Sequence, residues 1–125
     1  MNTESRIVII GVLFLLKFLS GVWLTRSGKP FSGPVSAIHK LVSLVTVGFI
    51  AITVNRLRGE AGLSTPELVA SVITGFLFLL AIVSGGLVSI EKPAPAAILI
   101  VHRVTPFLAV LATVATIYLM AFSTS

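Results

Sequence analysis

The chain has 125 residues, 56% of them hydrophobic and 10% charged, with a mean hydropathy of +1.12, whereas a soluble domain carries roughly a quarter charged residues. That balance excludes an ordinary soluble fold, a disordered tail and a nucleic-acid module with a solvated basic face. The net charge of +5 fits instead cations held at membrane edges. The absence of cysteine removes disulfides, iron–sulfur clusters, thiolate zinc sites and c-type haem attachment.

About 20 apolar residues cross a bilayer core of about 30 Å, and four segments qualify. The first is predicted from Ile7 to Thr25, the second from Val35 to Val54, the third from Leu68 to Ile90 and the fourth from Ala96 to Phe122. The connections carry Gly, Pro and charge. Ser64-Thr65-Pro66-Glu67 reads as a helix start, with a hydroxyl cap, proline at the first helical position and an acid in the first turn. The first apolar stretch is too long for a signal-peptide core and no Ala-x-Ala site follows it, which argues against a cleavable signal. The expected fold is all-α: one four-transmembrane-helix domain over 1–125, an up-down-up-down bundle with short loops.

In that topology both termini and the 55–66 loop share one side, with Arg6, Arg56 and Arg58 against Glu4, Glu60 and Glu67. The other side carries Arg26, Lys29 and Lys92 in loops, with Lys40 and Arg103 just inside helices. Counting all five cations puts this second side in the cytoplasm, and the expected location is the plasma (inner) membrane. With Lys40 and Arg103 set aside the two sides carry equal numbers.

The two halves of the chain resemble each other. Residues 11–21 (GVLFLLKFLSG) match 75–85 (GFLFLLAIVSG) at seven of eleven positions. After a one-residue shift, 30–54 aligns with 93–117, where only Pro30/Pro93, His39/His102, Val47/Val110 and Thr53/Thr116 are identical and Lys40/Arg103 keep the charge. The reading is two parallel two-helix repeats, about 7–58 and 66–122, related by an axis along the membrane normal. The two histidines of the chain are therefore repeat partners, expected at equal depth about one turn inside their helices. Ser43, Thr46 and Thr53 share the face of His39, and Thr105, Ala109, Thr113 and Thr116 share that of His102. Small and hydroxyl side chains favour the protein interior over lipid, so both histidines are expected to face inward. Gly21 and Gly85, again repeat partners, fall at the same depth on the other two helices.

Two inward imidazoles with glycines between them suit a metal macrocycle. Haem iron takes neutral imidazoles at both axial positions, and glycine lets a porphyrin edge approach a helix backbone. Lys40, Arg103, Lys29 and Lys92 crowd the same end and would meet the propionates. Pro106, four residues after His102, removes the hydrogen bond that the His102 carbonyl would accept and is expected to bend the helix there.

With His39 in SAIHKLVSL, His102 in ILIVHRVTP, and Ser20-Gly21 and Ser84-Gly85 as helix-packing partners, the chain resembles the membrane-embedded b-type cytochromes. The resemblance implies one haem b per chain, held by four helices and ligated by His39 and His102. It departs from the two-haem, four-histidine pattern common in that family. Lys17, near the middle of the first span, has Ala81 as its repeat partner. It reads either as a cation below the haem edge, raising the potential or touching a quinone, or as a lysine tucked among hydroxyls.

The histidine pair also has a plainer reading as packing residues copied by duplication, and a two-histidine copper site is a minor alternative. A small four-helix transporter is the rival function, although Glu4, Glu60, Glu67 and Glu91 all lie in tails, loops or helix ends. A cofactor-free structural subunit is the third. Expected partners are the lipid bilayer, a redox protein or quinone, and further copies or subunits; nucleic acid is not expected.

Overall fold

The computed structural model describes residues 2–28, 33–90 and 95–122, and every regular element among them is an α-helix. They are α1 (Thr3–Ser27), α2 (Gly33–Arg58), α3 (Thr65–Ile90) and α4 (Ala96–Ala121). Each is long and apolar enough to cross a membrane. Large apolar side chains such as Leu15, Leu41, Phe76 and Leu111 are exposed along them, which fits contact with lipid on a multi-pass membrane protein.

The helices run further than their apolar spans because the starts are set by caps. The Asn2 side chain accepts the Ser5 backbone N–H at 2.8 Å, so α1 begins four residues ahead of the apolar stretch. At α3, Ser64 accepts the Glu67 backbone N–H at 3.4 Å and donates its hydroxyl to Glu67 Oε1 at 2.7 Å. Both bonds run through the Ser64 hydroxyl, which caps the helix start. Ser64 is the cap, so Pro66 is the second helical residue and not the first. α1 ends at Gly28: its N–H still bonds the Leu24 carbonyl, and its φ of 69° then turns the chain out of the helix.

Two compact units divide the chain, residues 1–53 and 54–125. In the first, Arg6 bonds Thr53 and Ser20 bonds His39, a pairing that requires α1 and α2 to run antiparallel. In the second, Thr74 meets Thr116 and Ser84 meets His102, which makes α3 and α4 antiparallel as well.

Within each hairpin the buried faces are narrow and partly polar. On α1, Arg6, Ile10, Phe14, Lys17 and Leu24 are buried, a stripe at helical spacing. On α2 the buried residues are Thr46, Ile50 and Thr53; on α4, Thr105, Pro106, Ala109, Thr113, Thr116 and Ile117. Of the residues expected to share the histidine faces, Thr46, Thr53, Thr105, Ala109, Thr113 and Thr116 are buried and Ser43 is half-buried. Their threonines are satisfied locally: Thr46, Thr53, Thr113 and Thr116 each donate to the carbonyl four residues back. Burying a hydroxyl is tolerable only with such a partner. α4 continues through Pro106, which is itself buried.

Candidate functional site

The residues singled out by the sequence come together hairpin by hairpin. In the first, the half-buried His39 ring lies over Gly21: a Cβ built on Gly21 would stand 3.2 Å from His39 Cε1. In the second, the equivalent distance from Gly85 to His102 Cε1 is 2.8 Å, closer than real Cβ contacts come. Each glycine thus seats the imidazole of its own hairpin. The space that the sequence reading assigned to a porphyrin edge is taken, at these two positions, by the histidine ring.

The serine before each glycine fixes the ring. Ser20 Oγ donates to the Lys17 carbonyl at 3.0 Å and lies 2.8 Å from His39 Nδ1. A carbonyl carries no proton and a hydroxyl has one, so once Ser20 has donated to Lys17 it can only accept from the ring. In that arrangement His39 carries its proton on Nδ1. The second hairpin repeats the arrangement: Ser84 Oγ donates to the Ala81 carbonyl at 3.2 Å and lies 3.2 Å from His102 Nδ1. His102 Nδ1 also lies 3.2 Å from the Ala81 carbonyl, which by itself requires the proton on that nitrogen. A neutral ring bonded in this way keeps its lone pair on Nε2. Such an outer hydrogen bond to Nδ1–H is what sets tautomer and orientation in metal-ligating histidines.

Sequence reasoning treated Ser20 and Ser84 as packing residues and missed this role. The available signal was the Ser-Gly dipeptide, retained in both copies of the repeated segment at the depth of the histidines.

Lys17 contributes twice to the first hairpin. Its carbonyl receives Ser20, and its side chain is buried with Nζ 5.9 Å from the Phe14 ring centroid. At the equivalent position Ala81 supplies the carbonyl without a cation. Lys40 and Arg103 follow the histidines in sequence and are exposed on α2 and α4. Lys29 and Lys92, the other two expected propionate partners, lie outside the described residues.

A second polar level crosses each hairpin near its opposite end. Arg6 Nη1 donates to Thr53 Oγ1 at 3.1 Å, with the guanidinium 5.4 Å from the Phe49 ring centroid. The sequence reading had placed Arg6 among edge cations; capping by Asn2 carries α1 past it and turns it onto the buried stripe. In the other hairpin Thr74 and Thr116 hydroxyls meet at 3.0 Å while each is also placed to donate to a backbone carbonyl. Two protons serve three contacts, so one of them is shared.

Among the described residues no three His, Cys, Asp or Glu side chains gather into a group that could hold a metal ion. His39 and His102 belong to different units, so each hairpin by itself offers one imidazole held by a serine. One imidazole is too few for a bare ion, which needs four or more ligands, and suits a single position on a metal that brings its other ligands, as haem iron does. Compared with known protein families, characterised proteins and solved structures, the chain matches none.

Proposed function

We propose that this chain is a membrane b-type cytochrome, binding one haem b with His39 and His102 as axial ligands. It would serve electron transfer, or act as the haem-bearing membrane subunit of a redox complex. The reading takes the four helices as an up-down-up-down bundle of two parallel repeats in the plasma membrane. One observation carries it. Two hairpins that differ at most positions around their histidines share the same chain of bonds, from Nδ1–H to serine hydroxyl to the carbonyl three residues back. A packing histidine needs only a partner; a ligand needs its tautomer fixed and Nε2 aimed.

A haem held by His39 and His102 would supply a one-electron couple. The protein does the rest. Ser20 and Ser84 hold each proton on Nδ1 and keep Nε2 as the basic atom. Gly21 and Gly85 let the imidazoles lie against the neighbouring helix, which limits ring rotation. Lys40 and Arg103, exposed one residue after each histidine, would offer positive charge to the propionates. Lys17 adds a buried cation on the His39 side only, which would favour the ferrous state. A quinone or redox protein would exchange the electron.

The transporter reading loses ground because Glu4 and Glu67 sit in first turns and Glu60 in a loop, away from the depth at which a proton-coupled carboxylate acts. The deciding experiment is the absorption spectrum of the detergent-purified protein, oxidised and then reduced with dithionite. A sharp Soret band with resolved α and β bands on reduction, at one haem per chain, is the expected result. A protein that stays colourless after haemin is supplied would end the cytochrome reading.

A further inference from the structure

We propose that the first hairpin carries an anion site at Arg6, which takes a phosphate-type oxyanion at the end of that hairpin remote from His39. The claim is independent of the haem. Arg6 is only 7% exposed. Its side chain has two partners among the described residues, the neutral Thr53 hydroxyl and the face of Phe49; it forms no ion pair with any described carboxylate. A guanidinium withdrawn from water without a counter-charge is costly, and proteins normally supply the anion beside it.

The geometry leaves the right atoms available. A guanidinium has five N–H donors, and one side-chain bond is made here. The one buried side-chain polar atom without a partner among the described residues is Ser71 Oγ, so the remaining Arg6 nitrogens are not sealed in. Phe49, its ring centroid 5.4 Å from Arg6 Cζ, has no acceptor atom in its side chain and takes none of the guanidinium hydrogens. Two parallel N–H groups in the guanidinium plane match two oxygens of a phosphate or carboxylate. Position narrows the choice. Arg6 is the fourth residue of a 25-residue span, about 5 Å from its end, where phospholipid phosphates lie. A cation at that level ordinarily reaches outward to headgroups; Thr53 and Phe49 hold this one inward, so the anion must come to it. Phosphate chemistry is shared by an anionic lipid headgroup and by free phosphate, and the test separates them.

The full-length protein in an uncharged maltoside detergent would be ¹⁵N-labelled and its Arg6 Nε–Hε resonance assigned by its loss in Arg6→Lys. Separate titrations would use phosphatidylglycerol, phosphatidylcholine and inorganic phosphate. A saturable shift with phosphatidylglycerol, at least fivefold tighter than with phosphatidylcholine, assigns the site to an anionic headgroup. A saturable shift with inorganic phosphate of equal or greater affinity assigns it to a free oxyanion. No shift with any of the three overturns the proposal. Lipid retention in native mass spectrometry adds a second readout. Arg6→Gln should lose at least fivefold of the bound anionic lipid and the exposed Arg56→Gln less than twofold. Equal losses would mean general charge attraction and also overturn the site. If Arg6→Gln does not fold, the wild-type titrations decide alone.

Discussion

Replacing each serine of the relay tests the histidine geometry, because the two hairpins should respond unequally. Ser20→Ala removes an acceptor 2.8 Å from His39 Nδ1. Loss of such an orienting partner typically costs 10- to 100-fold in metal affinity, about 1.4–2.8 kcal/mol at about 1.4 kcal/mol per tenfold. Ser84→Ala removes an acceptor at 3.2 Å, but the Ala81 carbonyl, also 3.2 Å from His102 Nδ1, remains to take the proton. A neutral hydrogen bond contributes about 0.5–1.5 kcal/mol net, and here it is divided between two acceptors. The expected loss is below about 1 kcal/mol, no more than about fivefold. The assay is titration of the apoprotein with haemin, read at the Soret band, together with ¹⁵N chemical shifts of both imidazoles without haem. Ser20→Ala should weaken haem binding tenfold or more and mix the His39 tautomers; Ser84→Ala should do neither, and Ser20→Thr should restore most of the loss. Equal effects of the two alanines, or Nε2-protonated rings in the wild type, would refute the reasoning.

Gly85→Ala places a methyl 2.8 Å from His102 Cε1 and must push the ring off its seat, whereas at Gly21 the gap is 3.2 Å and a small shift suffices. Thermal unfolding in detergent should show Gly85→Ala destabilised by about 1–3 kcal/mol, the range for overpacking, and Gly21→Ala nearly neutral, since gained helix propensity of about 1 kcal/mol offsets the crowding. Ser64→Ala removes the α3 cap and should cost about 1 kcal/mol, seen first as faster amide exchange at Leu68 and Glu67. Lys17→Met should lower the haem midpoint potential by some tens of millivolts, since losing a buried positive charge favours the ferric form; redox titration with an unchanged potential would mean that Lys17 is neutral or remote from the haem.

The four spans were legible because a bilayer demands long apolar runs, and nothing else in the chain competes with them. Their ends were not, because Asn2 and Ser64 extend helices by side-chain capping, which apolar content does not register. The inward faces of α2 and α4 could be read from the spacing of Thr46, Thr53, Thr105, Ala109, Thr113 and Thr116 relative to the histidines. The burial of Arg6 could not, because an arginine four residues into a span looks like an edge cation until the helix start is fixed. The partnership of histidine with glycine followed from equal depth, but its sense did not. Depth alone does not say whether a glycine admits a cofactor or the imidazole of its own hairpin. The serine relay depends on rotamers and on which carbonyl faces the hydroxyl, which a sequence does not encode legibly.

The central claim is that His39 and His102 are the two axial ligands of one haem. Near-infrared magnetic circular dichroism of the ferric protein, whose charge-transfer band reports the axial ligand pair, tests it directly when recorded for the wild type, His39→Ala and His102→Ala. A low-spin bis-imidazole signal is expected in the wild type, and its loss, with high-spin iron or no haem, in each variant. A bis-imidazole signal that survives either substitution would contradict the claim.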